Sequence, residues 1–232
     1  MTFFRPTGVV LILYAEEDAA SSYLEAADHY QAIGEMGDAI ANRRQAGQLY
    51  AKLAVRPSVG DVAEEQRRKF FRQAIEQMDF IQVQRESEAK WESAQGAAQE
   101  KAQYFLELGE YQEAASTYLY IASELSQSRV ELVNRFLVFA AGCHILLGRE
   151  EDAQNLMAQA VQNFIRGNEH KGWGNECYGT YVLCCLFLGL SDEKEWTNGL
   201  SRVKLKRGQR ELLEEIKVSR FLLGNLGEHL DH

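Results

Sequence analysis

The chain contains 232 residues, of which 46% are hydrophobic and 25% are charged, and this balance excludes an intrinsically disordered protein. A formal net charge of −9 argues against nucleic-acid binding, which needs a basic face to contact phosphates. The two prolines are Pro6 and Pro57, so no proline interrupts a helix after residue 58. Because strong helix formers are also abundant, we predict an all-α protein.

The N-terminal segment, residues 1–15, contains the apolar run Gly8–Ala15, which resembles the start of a signal peptide. The run is at the lower length limit for such a peptide and lacks a clear cleavage site. It is also far shorter than the ~20 residues that span a bilayer. We predict a packed first segment, and a membrane-touching tail and a signal peptide are the alternatives.

Paired amphipathic helices are predicted along the rest of the chain from capping residues, glycines and charge patterns. The expected pairs are residues 16–33 with 36–54, 61–80 with 83–108, 111–126 with 130–147, and 150–166 with 174–189. Helices near 192–203 and 207–229 are expected to close the array. The predicted organisation is therefore a helical-repeat array over residues 16–190, followed by C-terminal capping helices over 191–232.

A glycine recurs between predicted helices in one local pattern, with a small or apolar residue seven positions before it. The copies end at Gly34, Gly109, Gly148 and, in a degenerate form, Gly189, at intervals of 75, 39 and 41 residues. We interpret the first interval as two periods, with a unit near Phe70–Phe80 that has lost its glycine. Glycine can end a helix in the left-handed conformation, so the next helix can fold back.

Alanines on either side of each glycine allow two helix backbones to approach closely. We therefore predict that Ala114 and Ala153 are buried at helix crossings. The large residues expected to fill the remaining space are Tyr30, Phe105, Tyr118, Leu156 and Phe164.

The segment Lys101–Tyr118 resembles a tetratricopeptide repeat, with Gly109, Tyr111 and Ala114 at positions that such repeats use. The longer period of about 39 residues is similar to the soluble NSF-attachment protein (SNAP)-like branch, as is the segment Ser22–Tyr30. The resemblance covers roughly residues 16–190 and implies a right-handed superhelical array of antiparallel helix hairpins. Members of that superfamily are protein-binding scaffolds, so it also implies a cytoplasmic adaptor, with protein transport as one setting.

Enzymatic motifs are absent from the sequence, including GxSxG, GxxxxGK[ST] and HExxH. No two histidines share an i, i+4 helical face, and we expect His144 to be a core residue instead of a metal ligand. The cysteines are interpreted as buried free thiols in a reducing compartment: Cys143, Cys177, Cys184 and Cys185. We therefore predict no enzyme activity, cofactor or metal.

Basic and aromatic residues supply the candidates for partner contacts. Arg43 and Arg44 lie on the second helix of the first pair, a position that lines the concave surface in many helical arrays. Two basic runs and a loop tryptophan complete the set: Arg67 and Arg68, then Lys204, Lys206 and Arg207, and Trp173. The alternatives are a solvated helix junction for the second run and packing under the loop for Trp173. Trp91 and Trp196 also lie outside the packing positions of the repeat.

These observations favour a non-catalytic scaffold that binds a helical or extended protein segment along its concave face. No nucleic acid is expected, and any membrane contact is expected to be peripheral. An obligate structural subunit of a larger complex is the first alternative. A helical-repeat sensor of a small molecule or peptide is the second.

Overall fold

The computed structural model describes residues 8–56, 61–125 and 130–167, and within these ranges it contains helices and no strand. The described helices are α1 (Gly8–Ala32), α2 (Met36–Ala54), α3 (Asp61–Ser87), α4 (Trp91–Glu107), α5 (Tyr111–Glu124), α6 (Val130–Leu146) and α7 (Glu150–Gly167). The prediction of an all-α protein is confirmed. The helices predicted over 174–189, 192–203 and 207–229 lie outside the described residues.

The first helix begins at Gly8, eight residues earlier than predicted. The apolar run Gly8–Ala15 contains no residue that breaks a helix after its first position, so it continues the amphipathic segment that follows. The packing predicted for this run involves the side chains of residues 8–14, which lie outside the description.

The predicted glycine turns adopt one common geometry. Gly34, Gly109 and Gly148 have φ values of 84°, 71° and 70°, in the left-handed region that glycine enters without steric cost. After each glycine, the next amide donates to a carbonyl five residues back, as Glu35 N does to Tyr30 O at 2.9 Å. This is the Schellman arrangement, which satisfies the last carbonyls of a helix. The predicted role of the glycine is confirmed at these three positions, and Gly189 lies outside the described residues.

A fourth turn of the same kind has alanine in the glycine position. Ala89 has a φ of 55°, and Lys90 N donates to Arg85 O at 2.8 Å. The prediction of a helix end near residue 80 is therefore wrong, because α3 continues to Ser87. Residues 80–87 contain neither glycine nor proline, so nothing ends the helix earlier.

The repeat is less regular than the glycine spacing predicts. Three helices, α2 to α4, lie between the turns at Gly34 and Gly109, whereas α5 and α6 lie between Gly109 and Gly148. The interpretation of the first interval as two equivalent two-helix periods is wrong. Helix α3 is 27 residues long, so 75 residues hold three helices instead of four.

The chain divides into two compact units, Met1–Tyr104 and Phe105–His232. In the first unit, α2 packs against both α1 and α3. Helices α2 and α3 come close together at Gly47, where an added Cβ would lie 2.7 Å from Met78 Cε and 3.2 Å from Gln77 Cβ. A small residue is therefore required at this crossing.

In the second unit, α6 is buried on all sides. Every residue from 136 to 145 is buried, and α6 contacts both α5 and α7. On the α5 side, the ring of Tyr118 lies 6.0 Å from that of Phe136 and 5.5 Å from that of Phe139, centroid to centroid. This aromatic stack lies between α5 and α6 in the described part of the second unit.

The packing predictions have a mixed outcome. Ala114, Ala153 and Tyr118 are fully buried, as predicted. Phe105 and Leu156 are half-buried, and the side chain of Phe164 lies outside the description. The prediction for Tyr30 is wrong, since this side chain is 37% exposed. Tyr30 lies three residues after the buried Ala27, about 60° around α1 and at the edge of its buried stripe.

Two ionisable side chains lie within the buried part of α6. The thiol of Cys143 is free and buried, and burial raises its pKa. Burial also lowers the pKa of His144, an effect that Asp152 opposes and Arg149 reinforces. The predictions of a buried free thiol and a core histidine are confirmed at these positions. The other three cysteines lie outside the described residues.

Candidate functional site

Four of the eight predicted contact residues lie in the described part of the chain, all of them in the first unit. Arg43 and Arg44 are on α2, and Arg67 and Arg68 are on α3. The remaining four lie outside the described residues: Trp173, Lys204, Lys206 and Arg207.

The guanidinium of Arg43 connects three helices. It donates to Asp28 Oδ1 on α1 at 2.7 Å and to Gln77 Oε1 on α3 at 3.0 Å. It also lies over the Phe80 ring on α3, with Cζ 4.0 Å from the ring centroid. The contact with Gln77 is shielded from water, because the Arg43 side chain is only 16% exposed and Gln77 is buried, whereas Asp28 is 69% exposed. Arg43 therefore holds α1 and α3 in register across α2.

Arg44, the next residue, is directed toward α4. Its guanidinium donates to Glu100 Oε1 at 2.6 Å, and both side chains are half-buried. Tyr104 lies one turn after Glu100, and burial raises the pKa of its hydroxyl. The negative charge of Glu100 raises this pKa further, while Arg44 lowers it. The Tyr104 hydroxyl therefore stays protonated at neutral pH.

The arginines of α3 lie beside an aromatic pair. The ring of Phe71 is 5.9 Å from that of Tyr104, and the Arg67 guanidinium lies 5.1 Å from the Phe71 ring. Arg67 and Arg68 also pair with Glu64, at 3.3 Å and 3.4 Å. The structure thus brings Arg44 and Arg67 to the same aromatic pair and directs Arg43 toward α1. Whether any of these arginines contacts a partner stays a prediction.

Exposed apolar side chains form a second feature of the first unit. Ile33 is 70% exposed, Val83 53% and Trp91 48%. The expectation that Trp91 lies outside the packing positions is confirmed. Ile33 and Val83 were not predicted as functional residues. The sequence did contain a signal that Ile33 could be exposed, because it is a large apolar residue directly before a turn glycine. Val83 gave no such signal, because it was assigned to the start of a helix.

The described residues contain no group of three or more His, Cys, Asp or Glu placed to hold a metal ion. None of α1–α7 combines the length and the apolarity that a membrane-crossing helix requires. No family model, curated protein or solved structure matches the chain. The resemblance to tetratricopeptide and SNAP-like repeats therefore depends on the sequence segments described above.

Proposed function

We propose that this chain is a non-catalytic protein-binding scaffold or adaptor. The observation that carries the proposal is the exposure of Ile33, Val83 and Trp91 on a unit that Arg43 and Arg44 tie together across helices. Clustered exposed apolar residues, aromatic ones above all, are characteristic of protein-binding surfaces. A framework that is ordered before binding loses little entropy when a partner binds.

The proposed architecture is a right-handed superhelical array of antiparallel hairpins, similar to tetratricopeptide and SNAP-like repeats. Consecutive packing of α1 to α3 and of α5 to α7 supports it. The contacts between α1 and α2 support it further. Arg43 pairs with Asp28 and Lys52 pairs with Glu16. A later residue of α2 thus pairs with an earlier residue of α1, which is the pattern of two antiparallel helices.

The proposed partner is a helical or extended segment of another protein, bound without a cofactor. Vesicle trafficking or assembly of a multiprotein complex is the setting that the sequence resemblance implies. The free buried thiol of Cys143 supports a reducing compartment, and we propose the cytoplasm.

The experiment that tests this function uses the full chain as bait in a native lysate, with a charge-matched acidic helical protein as the control bait. A captured partner is then purified, and its binding to the full chain is measured by calorimetry. We expect a saturable complex with a monomeric free chain. Aggregation of the chain unless a partner is co-expressed would favour the obligate subunit. A stoichiometric small molecule in the purified chain, with no protein partner, would favour the sensor.

A further inference from the structure

Four of the six large apolar residues that the described part of the chain exposes lie around the end of the first unit that contains the turns at Gly34 and Ala89. We define the turn-end surface as the large apolar residues exposed there: Tyr30, Ile33, Val83 and Trp91. Their common location follows from the register of the four helices, which the contacts of buried and half-buried residues determine.

Helices α1 and α3 are aligned by their shared contact with Arg43. The guanidinium touches both Asp28 of α1 and the Phe80 ring of α3, so these two residues lie at a similar level along the helices. Ile33 follows Asp28 by five residues and Val83 follows Phe80 by three. Both therefore lie beyond Arg43, in the direction of the turns.

Helix α4 is aligned with α3 by the ion pair between Lys101 Nζ and Asp79 Oδ1, at 2.7 Å. Trp91 precedes Lys101 by ten residues, a rise of about 15 Å, and Ser87 follows Asp79 by eight residues, a rise of about 12 Å. Trp91 is thus level with the last turn of α3. It belongs to the same end of the unit as Ile33 and Val83.

This end of the unit is open to an approaching backbone. Helix α3 continues for seven residues past Phe80, about 10 Å, whereas α1 continues for four residues past Asp28, about 6 Å. The end of α3 therefore forms a step above the α1–α2 turn. An added Cβ at Gly34 or Gly37 would meet no atom within 4 Å, so the space directly beside these two glycines is open.

The charges around the turn-end surface are acidic. Glu35 and Asp38 are exposed, and residues 30–42 contain no lysine or arginine. At the other turn, Glu88 pairs with both Arg85 and Lys90, at 2.7 Å and 2.9 Å, and residues 85–92 contain three glutamates against these two cations. A complementary partner therefore carries positive charge beside its apolar residues.

We propose that the turn-end surface binds a basic amphipathic helix of a partner protein, an assignment that rests on the proposed scaffold function. The apolar face of that helix contacts Ile33, Val83 and Trp91, as amphipathic helices do in apolar grooves. Its lysines or arginines lie near Glu35 and Asp38. A second copy of this chain is a poorer occupant, because the net charge of −9 and the same acidic residues would repel it.

The test uses a model peptide of about 18 residues, with leucines on one helical face and lysines on the other. A matched peptide has glutamate in place of lysine. Binding of each labelled peptide to the full chain is followed by fluorescence anisotropy. Val83→Lys and Ile33→Lys each alter the turn-end surface. The matched control is Val55→Lys, since Val55 is 40% exposed and follows the opposite end of α2.

We expect the lysine peptide to bind, and each of the two test variants to weaken its affinity about tenfold or more. The Val55→Lys variant should stay within about twofold of the parent chain, and all three variants should melt at nearly the parent temperature. Three outcomes would overturn the proposal: an equal loss of affinity in Val55→Lys, tighter binding of the glutamate peptide, or no binding of the lysine peptide at about 1 mM protein. So would a dimer of the chain that Val83→Lys dissociates.

The scaffold function and this surface fail in different ways. If a partner captured from lysate binds the parent chain and Val83→Lys equally well, the scaffold function stands and the turn-end surface is wrong. If no protein partner binds either form, both proposals fail.

Discussion

The described helices of both compact units have an apolar core, but the two units differ in the charged pairs that join neighbouring helices. In the first unit, charged pairs join neighbouring helices, among them Arg44 with Glu100 and Lys101 with Asp79. In the described part of the second, ten consecutive residues of α6 are buried, and two of them, Phe136 and Phe139, stack on the ring of Tyr118. A partly exposed ion pair contributes about 0–1 kcal/mol, whereas burial of a large apolar side chain contributes about 1.5–3 kcal/mol. We therefore expect apolar packing to contribute most of the stability of the described helices in both units, and the charged pairs to add a smaller part in the first.

The largest expected effect comes from the loss of a buried aromatic ring. Tyr118→Ala removes the ring that stacks on Phe136 and Phe139, and we expect the free energy of unfolding to fall by about 3–5 kcal/mol. Tyr30→Ala is the matched control, since Tyr30 is partly exposed in the first unit, and its cost should stay within about 1 kcal/mol. Urea denaturation followed by circular dichroism measures both values. Similar losses of unfolding free energy in the two variants would mean that the aromatic stack at Tyr118 contributes no more to stability than the partly exposed ring of Tyr30.

Overpacking tests the close approach of α7 to α6. Ala153 is fully buried, so Ala153→Leu should lower the free energy of unfolding by about 1–3 kcal/mol. Ala158 lies on the same helix and is exposed, so Ala158→Leu makes the same chemical change without overpacking. Thermal melts of the two variants should differ by several degrees. A melting temperature for Ala153→Leu equal to that of Ala158→Leu would show that α7 does not pack through Ala153.

In the first unit, a charge exchange separates fold from binding. Arg44→Glu places two carboxylates together, and we expect a loss of about 1 kcal/mol in the free energy of unfolding. The double variant Arg44→Glu, Glu100→Arg should recover most of that loss, because the pair is restored with its charges exchanged. Denaturation curves measure the recovery. If Arg44 also contacts the partner, the double variant folds normally and binds the captured partner weakly.

Two turn substitutions should have small effects of opposite sign. Ala89→Gly relieves a positive φ and should raise the free energy of unfolding by about 0.5 kcal/mol. Gly109→Ala introduces the same strain, with no atom near the added Cβ, and should lower it by about 1 kcal/mol. Denaturant titrations of both variants test this. A loss of stability in Ala89→Gly would mean that its side chain matters more than its backbone.

The last difference between the two units concerns the loss of stability in acid, and it is absent at neutral pH. Burial lowers the pKa of His144 in the folded state. As the pH falls below 6.5, His144 therefore takes up a proton in the unfolded state before it does so in the folded state, and the second unit loses stability. In the first unit, the hydrogen bond from Lys52 lowers the pKa of Glu16, and the hydrogen bonds from Lys90 and Arg85 lower that of Glu88. Their contribution is present above pH 4.5 and is lost only as the pH falls through their lowered pKa values.

Hydrogen exchange at pH 7.5 and pH 5.5, corrected for intrinsic rates, distinguishes these two windows. We expect protection to decrease in α5 to α7 and to change little in α1 to α3. The variant His144→Gln cannot titrate and should remove the change in the second unit. An acid response that survives in His144→Gln would assign it to another group.

Sequence reasoning predicted the features that have a local cause. A glycine at the end of a predicted helix favours a left-handed turn for a local reason, so the turns at Gly34, Gly109 and Gly148 were found. The turn at Ala89 was missed, because alanine adopts a positive φ only when the surrounding helices impose it. The length of α3 was missed for the same reason, since no residue between 80 and 87 signals an end or a continuation.

The candidate site was less accessible to prediction. Arg43 was identified as a noteworthy basic residue, but its contacts with Asp28 and Gln77 come from positions 15 and 34 residues away. Such contacts depend on the register of whole helices, which is determined in part by the close approach at Gly47. The exposure of Val83 was missed because it follows from the corrected end of α3.

The uninterrupted burial of residues 136–145 has a consequence for synthesis of the chain. As the polypeptide leaves the ribosome, α6 emerges after α5 but before α7, so one of the two helices that contact it is still missing. During that interval a ten-residue, largely apolar segment faces water and can associate with other nascent chains. The first unit, whose helices meet partly through charged groups, has a milder exposure at the same stage. A pause in translation that leaves α6 outside the ribosome while α7 is still inside would therefore lower the yield of folded protein more than the equivalent pause after α2.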